Sequence, residues 1–210
     1  MKKPLLIYGA GGLGRELLAW LKMSAEWKVD GFVDDTLEPG SRIHGLEILG
    51  NLSWLEARRI HTFVILALGD PAAKARVRAS IHNPLIDFPA VIHPSARLLD
   101  PQSVSIGKGS VICAGCILTC DISLGEHVLL NLNTTVGHDV TVGDYSSIMV
   151  ATNIAGGVQI EDAVLIGSGS NVKNNTRIGA RSVVGMGSVV IRDVDVNCVV
   201  AGVPAKKLSK

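Results

Sequence analysis

Stepping by six from Ile106 lands on Ile112, Leu118, Leu124, Leu130, Val136, Val142, Ile148, Ile154, Ile160, Ile166, Val172, Ile178, Val184 and Val190, so that fifteen successive positions carry Ile, Leu or Val. If such residues filled a third of positions at random, a run of this kind would have a probability on the order of 10⁻⁷. Four places after each comes mostly a small or β-branched residue, among them Ser110, Cys116, Thr134, Ser146, Thr152, Ser170 and Ser188, and Gly often follows directly, as at Gly107, Gly125, Gly137 and Gly143. An α-helix does not accommodate a strict period of six, and each Gly would cost it about 1 kcal/mol against Ala. A coil of short strands does: each hexad forms one flat side of a triangular prism, the aliphatic residue enters the stacked core, and Gly or Asn supplies the corner. Ile92, Leu98 and Val104 precede the run in a frame offset by two, which predicts a capping turn there and a solenoid over about 92–195.

The chain before this repeat has another rhythm. Pro4 to Tyr8 reads as a short buried strand running into Gly9-Ala10-Gly11-Gly12-Leu13-Gly14, after which Leu13, Leu17, Leu18 and Leu21 recur at helical spacing. Lys28 to Val33 and Thr62 to Leu68 read as two further strands of the aliphatic kind found in parallel sheets. Between them Ser53 is placed to cap a short helix through Arg59, and Pro71 suits the first turn of a helix over 72–81. Alternation of this sort predicts a small α/β layer domain over 1–83. Pro84, Pro89 and Pro94 disfavour helix in the stretch that follows, and the second domain is placed over 84–210.

The 20 Lys+Arg against 19 Asp+Glu, in 210 residues without a basic run, leave no electrostatic footprint for nucleic acid. The apolar run at the N-terminus is broken by Gly9 before it reaches signal-peptide length, and no stretch approaches the roughly 18 apolar residues of a membrane span. A cytoplasmic setting is expected, consistent with reduced thiols. Cys113 and Cys116 form a C-x-x-C that raises zinc or redox chemistry, against the plainer reading of four cysteines as small residues of the repeat.

The hexads resemble the hexapeptide-repeat acyltransferases, and the whole chain resembles the sugar O- and N-acyltransferases of the NeuD and PglD type. The resemblance is carried by Tyr8-Gly9-Ala10-Gly11-Gly12-Leu13-Gly14, Gly31-Phe32-Val33-Asp34-Asp35, Leu68-Gly69-Asp70, Val91-Ile92-His93-Pro94-Ser95-Ala96, Val136-Gly137-His138-Asp139 and Val200-Ala201-Gly202-Val203-Pro204-Ala205-Lys206. It implies a Rossmann-like nucleotide-sugar domain followed by a left-handed parallel β-helix, an exception to the usual crossover hand. It also implies acetyl-CoA as co-substrate, no metal, and a homotrimer with the active site between subunits.

Acetyl transfer needs a base, a donor for the oxyanion and aligned substrates. Of six histidines, His138 stands out because it interrupts the small corner residues with an imidazole followed by Asp139. The resemblance places the catalytic base at His138, with Asp139 orienting or polarising the ring. One coil of eighteen residues puts Gly156 above His138; the resemblance implies that Gly156 N–H contacts the thioester carbonyl, with Ala155, Gly156 and Gly157 as the expected acetyl-CoA contacts. Val203 and Pro204 match the family's C-terminal CoA-side signature, or more plainly end the repeat. The Gly9-x-Gly11-x-x-Gly14 turn suits phosphate at a helix N-terminus, and Gly9, Gly11, Gly12, Gly14, Asp34, Asp35, Gly69 and Asp70 are the expected acceptor-binding set. Ser147 occupies a position where many such enzymes carry a second histidine.

The favoured reading is N-acetylation of a nucleotide-linked amino-deoxy sugar. O-acetylation of sialic acid or another sugar remains open, as does a non-catalytic sugar-nucleotide-binding scaffold. A zinc carbonic anhydrase on the same helix would need three converging histidines, and His93, His127 and His138 lack that spacing.

Overall fold

The computed structural model describes residues 2–208 and divides into two compact units. One comprises the chain through Gly69 together with Ala73–Pro89, and the other takes Asp70–Ala72 and the described chain from Ala90 onward. Among the described residues no helix is long and apolar enough to cross a membrane.

The first unit is built as β1 (Lys3–Tyr8), α1 (Gly12–Leu21), β2 (Trp27–Val33), β3 (Arg42–Ile43), β4 (Leu46–Gly50), α2 (Leu52–Glu56), β5 (Thr62–Leu66), α3 (Pro71–Ala79) and β6 (Ile86–Asp87). Its sheet runs β3-β4-β2-β1-β5-β6, parallel throughout except for the β3–β4 hairpin. Leu5 and Ile7 are wholly buried, as are Val64 and Ile65, which explains strands that read as apolar runs rather than alternations. Leu17, Leu18 and Leu21 form the buried stripe of α1.

Two details differ from the sequence expectation. Helix α2 is capped by Asn51, whose side chain accepts from Trp54 N–H, so it starts at Leu52 and stops at Glu56. Ser53 sits inside it. The proline-flanked stretch after α3 supplies β6, where Ile86 pairs with Thr62, and Phe88 joins the core around Val64 and Leu66. Packing of these two apolar residues thus gathers the chain through Pro89 into the first unit.

The second unit is a parallel solenoid of two- and three-residue strands forming ladders of eight, six and five strands. Partners are eighteen residues apart through most of it, as in Ile112 with Leu130, Val136 with Ile154 and Val142 with Ile160. The first coil is longer, Ile92 facing Ile112, which accounts for the two-residue frame offset. Every aliphatic repeat position from Ile112 to Val190 is at most 3% exposed, each side chain contributing roughly 1.5–3 kcal/mol of burial. The column four residues on, including Ser110, Thr134, Ser146 and Ser182, is fully buried too, its hydroxyls bonded to backbone oxygens. The coil extends past 195: Val199–Ala201 pairs with Val183–Val184 and is then covered by an antiparallel strand, Lys206–Lys207.

Candidate active site

The strand Thr135–Val136 ends at Gly137, and the chain turns the corner through His138 and Asp139 before Val140 re-enters the core. Asp139 adopts the left-handed conformation, φ 58°, that Asp and Asn tolerate better than most side chains. Its Oδ2 lies 2.7 Å from His138 Nδ1. A carboxylate accepts only, so Nδ1 carries the hydrogen, and the lone pair is left on Nε2. Both side chains are about two-thirds exposed, at 65% and 66%, so the imidazole edge is open to solvent.

The next coil fits around the ring. A Cβ at Gly156 would lie 2.5 Å from His138 Cε1 and Nε2, and one at Gly137 would lie 2.7 Å from Gly156 N. Glycine is thus required at both positions by close approach. Of the three expected backbone donors, Ala155 N–H is spent on Val172 O at 3.1 Å and Gly157 N–H on His138 O at 2.8 Å. Gly156 N–H has no acceptor among the described residues. Of the three amides, the one left unspent therefore lies beside the imidazole edge.

A groove of about 340 Å³ lies along the same face, lined by Thr135, Asn153, Ala155, Asn171, Lys173 and Val189. Thr135 donates to Asn153 at 2.7 Å and Asn153 to Asn171 at 2.9 Å, a ladder that the sequence reading did not single out. At the end of this face Gly202 O accepts from Val189 N–H and Ala205 N–H donates to Val189 O, so Val203 and Pro204 form a turn pinned at both sides, with Val203 exposed.

The glycine-rich loop of the first unit divides its work. Gly9 has φ 102°, and a Cβ on Gly14 would collide with the Gly9 carbonyl, so these two shape the turn. Gly11 and Gly12 face open space. Gly11 is the N-cap of α1 and offers no side chain, leaving the first amides of the helix bare toward an anion. The loop follows β1 beside β5, where the strand order reverses, the usual ligand position in open α/β sheets. Gly69 and Asp70 follow β5 in the chain, and Gly69 likewise has open space around its Cα.

Asp34 and Asp35, at the end of β2, are engaged within the frame. Asp34 accepts from Ala10 N–H at 2.8 Å and from the Thr36 amide and hydroxyl. Burial alone would raise its pKa, but these hydrogen bonds outweigh it and hold the carboxyl below the usual range. Asp35 accepts from Tyr8 OH and from Leu52 N–H at 2.8 Å, and burial followed by this carboxylate pushes the Tyr8 phenol well above its ordinary value.

None of the four cysteines is in a disulfide, and burial pushes the Cys116 thiol up to about 11 while it donates to Asn131 O. Among the described residues no group of three or more His, Cys, Asp or Glu is placed to hold a metal ion. His127 is buried and stacked on Tyr145, and His93 accepts at Nδ1 from Ser95 N–H.

Residues 4–81 match the PglD N-terminal domain family. The fold over nearly the full length is similar to the acetyltransferase domain of PglB from Neisseria gonorrhoeae, at 28% identity and TM-score 0.88, covering 99% of this chain and 100% of that one. PerB from Caulobacter crescentus, solved with CoA and GDP-perosamine, gives 28% identity, TM-score 0.86 and coverage of 99% and 98%. WeeI from Acinetobacter baumannii gives 27% identity, TM-score 0.88 and coverage of 98% and 100%. No curated protein sequence matches. With a PglD-type α/β unit followed by a left-handed parallel β-helix, the chain resembles the hexapeptide-repeat sugar acyltransferases of the NeuD and PglD type.

Proposed function

We propose that the protein transfers the acetyl group of acetyl-CoA to the amine of a nucleotide-linked amino-deoxy sugar, with His138 as general base. The observation that carries this reading is the geometry at one corner: an imidazole with Nδ1 held by Asp139 and Nε2 open, under an amide that has no acceptor. The sugar nitrogen attacks the thioester carbonyl, Gly156 N–H receives the developing oxyanion, Nε2 takes the proton lost from nitrogen, and the C–S bond breaks with the thiolate leaving. Asp139 keeps the ring oriented and balances the charge it gains.

The groove past Ala155 and Lys173, ending at Val203 and Pro204, is the proposed acetyl-CoA site. The bare amides after Gly11 receive the acceptor's diphosphate, with Gly9 and Gly14 fixing the turn and Asp34, Asp35, Gly69 and Asp70 around it. The complex of PerB with CoA and GDP-perosamine supports an acceptor of this class. The protein acts in the cytoplasm as a homotrimer with its active site between subunits, and sedimentation that found a stable, active monomer would contradict this assembly.

The test is thiol release from acetyl-CoA with a panel of UDP-, dTDP- and GDP-linked amino sugars and with free sialic acid. Turnover with an aminated nucleotide sugar is expected. Activity on sialic acid alone would replace this reading with O-acetylation, and silence throughout would favour an acceptor outside the panel or a binding scaffold.

A further inference from the structure

The α/β unit holds a cavity of about 300 Å³ that acetyl transfer does not use. It lies toward the starts of β1 and β5, whereas the glycine-rich loop leaves the far end of β1. Pro4, Leu5, Leu6, Leu49, Ile60 and Phe63 form its apolar wall. Two irregularities of the sheet open onto it. Between β1 and β2 the register steps from Leu5 with Val29 to Leu6 with Gly31, leaving Asp30 as an extra residue. Between β2 and β4 it steps from Phe32 with Ile48 to Val33 with Gly50, leaving Leu49. Bulges are rare in parallel pairs and re-aim the side chains they carry. Both bulged residues line this cavity. Gly31 makes the room, since a Cβ there would collide with the Leu49 side chain.

One cation of the wall has no counter-charge. Arg58 is half-buried, its guanidinium carbon 4.8 Å from the Trp54 ring centroid and its Nε donating to Thr62 Oγ1 at 3.4 Å. Ring and hydroxyl hold the plane of the group, while its terminal nitrogens have no acceptor among the described residues. The other charges are committed, Asp30 to Lys28 at 2.8 Å and His61 to Asp87 at 3.2 Å. A planar fork held in this way suits a carboxylate, which it meets with two parallel hydrogen bonds. Asp30 in the wall disfavours a dianion such as a phosphate monoester, so the match is to a single negative charge on an apolar body.

We propose that this cavity binds a small monocarboxylic acid with an aromatic or branched aliphatic body, the carboxylate on Arg58 and the body against Leu49, Ile60 and Phe63. Its volume suits roughly ten non-hydrogen atoms, at the ~30 Å³ that liquid water allots to each molecule. Ile60, 61% exposed, stands at the mouth. The site is separate from the acceptor loop, and its occupation requires neither acetyl-CoA nor a sugar.

The test is titration of the full-length protein with 3-phenylpropanoate and with its neutral amide, followed by the shifts of the Ile60 and Phe63 resonances. The acid is expected to bind with a Kd on the order of 1 mM or below, and the amide at least about tenfold more weakly, the scale of hydrogen bonds to a charged group. Arg58→Gln should weaken the acid by about the same factor and leave the amide unchanged. Ile60→Glu, at an exposed position, sets a like charge at the mouth and should also weaken the acid, which keeps the result readable should Arg58→Gln loosen the stack on Trp54. Saturating GDP should leave the affinity for the acid unaltered. Displacement by GDP would put the probe at the glycine-rich loop and overturn the assignment. Equal binding of acid and amide, an affinity unmoved in both variants, or no shift at Ile60 and Phe63 with about 10 mM acid would overturn it as well.

Discussion

An alanine at Gly156 would place its Cβ 2.5 Å from two atoms of the His138 ring, so the ring must tilt out of the corner. A displacement on the order of 1 Å at a reacting group costs about 10²-fold. Gly156→Ala is therefore expected to lower kcat by about that factor, with acceptor KM changed much less, read from initial rates at saturating donor. A loss confined to KM would mean that the residue only lines a binding surface. At this scale the sequence was informative where the repeat made a deviation visible. His138 stands between the small residues Cys120 and Gly156 at eighteen-residue spacing, so counting one coil onward finds Gly156. Counting does not reveal that Ala155 and Gly157 spend their amides on Val172 and His138.

Elements of the two units are held by different devices. In the solenoid, Ile148 and Ile166 are fully buried in one continuous core, and truncating either to Ala should cost about 2–5 kcal/mol, measured by denaturant unfolding. Ile106→Ala, at the partly exposed first coil, should cost less. In the α/β unit, Asp34 ties the β1–α1 loop to the end of β2, and its folded pKa is depressed. Its stabilisation is present above the unfolded value of about 3.9 and is lost as pH falls through the folded one. Asp34→Asn should thus lower stability at neutral pH and flatten the acid limb of the unfolding curve. An unchanged acid limb would show that the tie contributes nothing. The six-residue period announced the solenoid because each hexad repeats one physical demand. The start of α2 differs from the sequence expectation because Asn51 and Ser53 are both good caps, and tertiary contact chooses between them: Gly50 packs against Trp54, and the Trp54 amide donates to Asn51.

For the molecule as a whole, the division into an α/β unit and a solenoid follows from a change of hydrophobic period that any reader of the sequence can find. Its exact place depended on Ile86 and Phe88, whose burial outweighs the neighbouring prolines. Similarity over nearly the full length to PglB, PerB and WeeI at 27–28% identity carries the fold, while the acceptor is a matter of local charge and shape. The central claim is that chemistry at the His138 corner drives acetyl transfer. Its most direct test is thiol release from acetyl-CoA by the parent and by His138→Ala with the same acceptor, after circular dichroism has established that both are folded. A fall in kcat by a factor of about 10²–10⁴ is predicted for loss of a general base. Parental turnover in the folded variant would contradict the account and place the base elsewhere.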